Sequence, residues 1–407
     1  MLAALKSKMM RPLTNRLARP VDAVAHERLR LRLLFAVAIL KLFNFIGGAW
    51  DIQWHVAIGR DSLFIPPHLL VIFAFVAGLA LVLALIIYET TMAATGQEMP
   101  HAAKLGPFRA PPAFFGIFFG YTAALLSGVL DELWHEIFGI DATLWSPPHL
   151  LIMLATMVVD FSLLLGIATS ARRQGYEFKW SSPLFWGLVL IGAYAFEAVN
   201  FQMGEAFIVG YRQGGVGLYG LLFPLLVGAF LPLSLLACIR LARRFWVVLL
   251  IFALAMLLQY LATGIAAAGF AILKPVSVID EYVRLNPEST AAKAREFAGL
   301  LGFHGLIGFH QAWTMSLSAI PLVLVSLLEL FPWARRRPLL AAPLYSVSMV
   351  LFSFLWFEQM PALRGYPISS LHLAQAALIS ALAGLLTGSL GLRLARLVDT
   401  PDTSSTG

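Results

Sequence analysis

Two stretches of the chain pair one aspartate with two histidines at nearly the same spacing. Trp50 to Leu70 reads WDIQWHVAIGRDSLFIPPHLL, and Leu130 to Leu151 reads LDELWHEIFGIDATLWSPPHLL. The first spaces its side chains as D-x3-H-x12-H (Asp51, His55, His68), the second as D-x3-H-x13-H (Asp131, His135, His149). One carboxylate and two imidazoles without sulfur form a ligand set for Cu(II), Zn(II) or non-haem Fe(II). The lone cysteine, Cys238, lies in an apolar run, which excludes intrachain disulfides and thiolate clusters. Taken singly, each histidine also fits a plain interfacial anchor at a helix end, with Trp54 and Trp134 as belt aromatics. Anchoring gives no reason for the same three residue types to recur in the same order.

The spacing dictates the elements that must carry these residues. Asp and His at i, i+4 share one helical face, so each pair sits at the end of a helix leaving the membrane. Pro66–Pro67 and Pro147–Pro148 suit the first turn of the next helix, from which His68 or His149 projects back toward the pair. Three ligands from two adjacent helix ends leave coordination positions open, as a reactive centre requires. Asp61 and Asp141, six residues after His55 and His135, are candidates for orienting a ligating imidazole, for a fourth ligand, or for a loop turn. Glu132 and Glu136 flank the second set, and nearby carboxylates favour a bound cation, so the second set is expected to bind more tightly.

The rest of the chain is membrane material. Of 407 residues, 59% are hydrophobic and only 13% charged, against roughly 25% charged in soluble domains. Apolar runs predict an all-α polytopic bundle of about ten spans near 31–49, 68–92, 112–132, 149–169, 183–200, 217–238, 245–271, 312–331, 338–359 and 371–392. With the amino terminus inside, 21 of the 29 Lys and Arg fall in cytoplasmic segments and seven on the other side, which puts both termini in the cytoplasm. The net charge of +7 therefore orients helices and implies no nucleic-acid partner. The division expected is a basic cytoplasmic segment 1–30, a four-helix metal-motif unit 31–170, a six-helix extension 171–397 and a disordered tail 398–407. The first 30 residues lack the apolar core of a cleavable signal, so the expected place is the inner (plasma) membrane, with the metal motifs on its periplasmic or extracellular side.

Other polar residues are fewer. Lys41 and Asp160 fall near mid-membrane, where a charge costs about 2.5–3.5 kcal/mol, and are expected to form a structural pair or a proton path. His304, His310, Glu358 and His372 map to the outer half of the later spans. Trp356 to Leu373 faintly echoes the repeat, with Phe357 in place of a histidine. In the long outer segment 273–311, Asn286 is expected to cap an interfacial helix that starts at Pro287 and runs to Leu301.

The stretch from His55 to His68, with Arg60-Asp61, Phe64 and the proline before the histidine, resembles the first metal motif in the C subunit of particulate methane and ammonia monooxygenases. That family also has a second motif of longer spacing at about this separation. The resemblance covers roughly residues 30–170. It implies that Asp51, His55 and His68 form one membrane copper site and Asp131, His135 and His149 a second, and that partner monooxygenase subunits are present. The family's second motif opens with Asn where this chain has Asp131, and its subunit lacks the six later helices found here. Three functions follow as expectations: a copper-dependent monooxygenase or monooxygenase-like subunit oxidising a small apolar substrate, a protein for metal capture and transport, or a non-catalytic assembly subunit.

Overall fold

The computed structural model describes residues 22–59, 62–138, 146–212, 221–289, 292, 295–296, 315–357 and 368–397, with the backbone alone at 56 and 201–212. Asp61, Asp141, His304, His310 and Glu358 lie outside these residues, as do the segments 1–21 and 398–407. The described chain is all-α apart from one short hairpin. Its helices in order are α1 (Ala23–Ala57), α2 (Pro66–Ala94), α3 (Pro112–Phe138), α4 (Pro147–Arg173), α5 (Pro183–Arg212), α6 (Leu222–Phe230), α7 (Pro232–Ala242), α8 (Val247–Leu273), α9 (Ile279–Leu285), α10 (Ala319–Leu327), α11 (Pro332–Arg335), α12 (Ala341–Phe357) and α13 (Ser370–Leu397). Strands β1 (Ala103–Leu105) and β2 (Phe108–Ala110) pair antiparallel around Gly106, whose positive φ of 58° suits the turn between them.

Nine helical stretches among the described residues are long and apolar enough to cross a bilayer. A tenth apolar stretch, Ser316–Leu330, occupies the place of the expected eighth span and is 15 residues long as described. The protein is a multi-pass membrane protein. Leu and Ile ring the outside as well as the inside (Leu386 is 72% exposed and Ile137 71%), as expected where lipid replaces water.

Two expectations are corrected. Helix α1 begins at Ala23, not near residue 31, because the Asp22 carboxylate accepts hydrogen bonds from the Val24 and Ala25 N–H groups and caps it there. The basic residues of its first three turns are also partly internal. Arg30 is 1% exposed and donates to both oxygens of the fully buried Glu89 of α2, at 2.8 and 2.9 Å, while pairing with Glu27 as well. Asn286 does not cap a helix at Pro287: Pro287 and Glu288 form a turn, Ala292, Arg295 and Glu296 are helical with the Ala292 N–H donating to Ser289 Oγ, and the rest of the expected stretch to Leu301 lies outside the described residues. Asn286 closes α9, where its backbone N–H and its side-chain amide both donate to the Tyr282 carbonyl. An asparagine amide carries an acceptor for the free N–H groups of a helix start and a donor for the free carbonyls of a helix end, and here it uses the donor.

Helices α1 and α2 form one hairpin and α3 and α4 a second, and the two pack side by side. Helix α5 lies against α4, and α8 lies against both α1 and α5. Close approach within each hairpin depends on glycine. A Cβ at Gly47 would stand 2.7 Å from Val71 Cγ2 and 2.9 Å from the Pro67 carbonyl oxygen. One at Gly120 would stand 2.6 Å from Val159 Cγ2 and 2.9 Å from the Ala155 carbonyl oxygen. Both hairpins thus bring backbone against side chain without an intervening methyl.

Candidate metal centre

The two Asp-x3-His pairs end α1 and α3, and the two Pro-Pro-His turns begin α2 and α4. Ile65 and Ser146 stand at the N-caps with extended backbone, and the prolines that follow supply the fixed φ of a first helical turn. The late histidine of each motif is therefore the third residue of its helix and faces the hairpin partner.

In the first set, Asp51 Oδ1 lies 3.0 Å from His68 Nε2 and 3.7 Å from His55 Nε2. One donor atom from each of the three residues can be chosen so that all lie within 4.8 Å of one another. Ligands at 2.0–2.2 Å from one ion stand roughly 3–3.5 Å apart, so this set needs little movement to close on a metal. His55 is 5% exposed, and neither ring nitrogen hydrogen-bonds to any described residue. A buried imidazole left in that state is what a ligand position awaiting an ion requires. These residues fit a divalent cation.

The second set is looser. Asp131 Oδ2 lies 3.4 Å from His135 Nε2, and Asp131 Oδ1 lies 3.6 Å from His149 Nε2. The carboxylate here faces its two imidazoles with different oxygens. Compactness therefore favours the first set, opposite to the ranking that Glu132 and Glu136 suggest by charge.

The two sets are not separate. The His55 ring stacks on that of His135 with centroids 5.7 Å apart and planes 25° from parallel, and it meets the His149 ring edge-on at 6.3 Å. His68 lies 6.4 Å from His55, and His149 lies 6.4 Å from His135. Four imidazoles and two carboxylates from four helix ends thus gather in one cluster, with His55 at its middle.

Each late histidine is also held from behind. His68 Nδ1 stands 2.9 Å from the Ser62 carbonyl oxygen, and His149 Nδ1 stands 2.8 Å from Ser146 Oγ. Anchoring Nδ1 turns Nε2 toward the aspartate, the arrangement that fixes ligating imidazoles in metal proteins. Neither serine stood out in the sequence. Ser62 acts through its backbone, which any residue supplies, and Ser146 reads as an ordinary N-cap.

Comparison with known proteins returns no match. No protein-family model, no curated protein and no solved structure resembles this chain closely enough to pair with it. The chemistry open to the centre is set by its own side chains.

The later helices support it. Ser277 Oγ donates to the Ala57 carbonyl at 2.7 Å, and the Val278 N–H donates to the Ile58 carbonyl at 2.8 Å, so the segment after α8 closes the end of α1 just beyond His55. Trp54 is no belt aromatic. It is buried and stacks on Phe270 of α8 with ring centroids 5.8 Å apart. Lys41 and Asp160 form the expected pair, Nζ to Oδ1 at 2.7 Å, with both side chains buried. His372 sits in the first turn of α13, where its N–H donates to Ser369 Oγ.

A cavity of about 420 Å³ opens from the cluster into the bundle. Asp51, His68, Asp131 and His149 line one end, and Lys41, Asp160, Tyr194 and Glu197 line the other. Between them the wall is largely apolar, with Ile52, Val71, Phe75, Leu125 and Ile152 among its residues. On α1 it follows Lys41, Asn44, Gly48 and Asp51, and on α4 His149, Ile152, Met153, Thr156 and Asp160, each a single helical stripe.

Proposed function

We propose that this protein is an integral-membrane copper enzyme of the monooxygenase type, acting on a small apolar substrate. The observation that carries the proposal is the cavity, an apolar chamber with a His/Asp cluster at its mouth. Copper is the metal of choice because imidazole and carboxylate bind it most strongly among the divalent first-row ions, and because the motifs resemble those of the particulate methane and ammonia monooxygenases. Asp51, His55, His68, Asp131, His135 and His149 hold the metal, and a bound copper ion supplies activation of dioxygen. The chain's own residues do the rest. Ser62 and Ser146 hold His68 and His149 in orientation, and the apolar wall receives the substrate and keeps bulk water away. Val129 lines the cavity and is 55% exposed on the bundle surface, so an apolar molecule dissolved in lipid meets the chamber wall directly. The cluster faces the periplasm or cell exterior, as the loop charges imply.

Passage of a metal ion inward is the less favoured reading, because Lys41 occupies Asp160 at the inner end of the same cavity, which leaves Glu197, among the described residues, as the one carboxylate there to hold a divalent ion, against six candidate ligands at the mouth. The deciding experiment is elemental analysis and EPR on detergent-purified protein. Copper bound with a nitrogen-rich EPR signal is expected, and His55→Ala should deplete both halves of the cluster. Protein that retains only zinc after copper reconstitution would overturn the redox assignment. Zinc or iron with unchanged ligands would leave the cluster a metal site with a different chemistry.

A further inference from the structure

The inner end of the cavity carries a carboxyl that the metal chemistry does not use. Asp160 is the central residue of the 27-residue α4, and Lys41 and Glu197 lie within a residue of the centres of α1 and α5. All three line the same cavity and are 1–3% exposed. Lys41 is fully occupied. Its Nζ is 2.7 Å from Asp160 Oδ1, 3.4 Å from the Thr156 carbonyl oxygen and 5.6 Å from the centre of the Tyr194 ring. Glu197 stands one turn beyond Tyr194 on α5, and no described residue donates a hydrogen bond to either of its oxygens.

Among the described residues, the inner end holds one ammonium and two carboxyls, and the ammonium is paired with Asp160. Among the described residues of the elements packed against α5, only Lys41 of α1 and Asp160 of α4 bring a charged group to this end of the cavity. The acidic residues at the mouth, Asp51, Asp131 and Glu132, add no positive charge. Asp51 is also ten residues from Lys41 along α1, about 15 Å at 1.5 Å per residue. A bare carboxylate at this depth would be both unpaired and without hydrogen bonds, which the membrane interior strongly disfavours.

We propose that Glu197 is the binding site for one exchangeable monovalent cation, a proton or an alkali-metal ion, which enters through the cavity. One such cation neutralises the one unmatched carboxylate, whereas a divalent ion would leave an excess positive charge beside Lys41. The inference stands apart from the identity of any metal at the cluster, because Glu197 lies outside the Asp/His set.

Difference infrared spectroscopy on the purified full chain, with metal removed, tests it. If the cation is a proton, the wild type shows a carboxyl C=O absorption that shifts in D2O, moves in Glu197→Asp and is absent in Glu197→Gln. If it is an alkali ion, exchanging Na+ for K+ shifts a carboxylate absorption in the wild type and leaves Glu197→Gln unresponsive. Absence of both responses in the wild type, or their survival unchanged in Glu197→Gln, overturns the proposal. Should the Gln variant fail to accumulate, Glu197→Asp alone decides, since a responsive band that does not move excludes residue 197 as its source.

Discussion

At the scale of single residues, the two halves of the cluster use the same device with different chemistry. The imidazole of His68 is steadied by a main-chain carbonyl and that of His149 by a hydroxyl. Substituting the residue behind each should therefore have unequal effects. Ser146→Ala removes the partner of His149 Nδ1 and is expected to weaken metal binding at that half by about 10–100-fold, the usual result of losing such a support. Ser62→Ala keeps the carbonyl, so binding at the other half should change by less than about twofold, within the range of an ordinary surface substitution. Metal titration of the two purified variants checks this, and equal losses would mean that the Ser146 hydroxyl does not orient its imidazole. The sequence named six candidate ligands because a repeated Asp/His/His pattern is visible without any fold. It could not name Ser62, whose contribution carries no side-chain signature, nor Glu197, whose isolation depends on what surrounds it.

At the scale of helices, the hairpins are set by backbone proximity, and this was only partly legible. Apolar runs and the Pro-Pro turns located α1 to α4, since a bilayer demands helices and proline suits their starts. The start of α1 was misplaced because its second and third turns carry Glu27, Arg28 and Arg30. Burial of Arg30 against Glu89 and Glu27 could be seen only once α2 lay beside it. Glycine at a helix crossing is equally silent in sequence, yet it sets the spacing of the ligands. Gly120→Leu forces side-chain atoms into Val159 and the Ala155 carbonyl, at a cost of about 1–3 kcal/mol for overpacking. The expected outcome is that α3 and α4 splay, His149 moves away from Asp131, and the second half of the cluster loses metal. The first half, built on α1 and α2, should keep it. Copper stoichiometry by elemental analysis distinguishes this from general unfolding, in which both halves would empty together.

At the scale of the whole molecule, the direction in which the chain threads the bilayer decides which compartment supplies the metal. The described helices place the cluster at one end of the bundle, and the Arg30–Glu89 network together with the β1–β2 hairpin at the other. The charges distribute unevenly between these ends, with Arg172 and Arg173 ending α4, Lys179 between α4 and α5, Arg240 in the last turn of α7, and Arg243 and Arg244 between α7 and α8, all on the hairpin side. Retention of such clusters in the cytoplasm orients membrane proteins, so the cluster end should face outward. Cysteine labelling gives a direct reading, because the one native cysteine, Cys238, is fully buried and should stay silent. Phe64 lies in the turn between α1 and α2 and is 74% exposed, and Leu105 lies at the end of β1, exposed on the opposite side. A membrane-impermeant thiol reagent applied to intact cells should modify Phe64→Cys and spare Leu105→Cys, with Leu105→Cys becoming reactive only after permeabilisation. The reverse pattern would invert the topology and require the metal to come from the cytoplasm. Every distance within the cluster would survive that result, since the ligand geometry depends on the four helix ends and not on which side of the membrane they face.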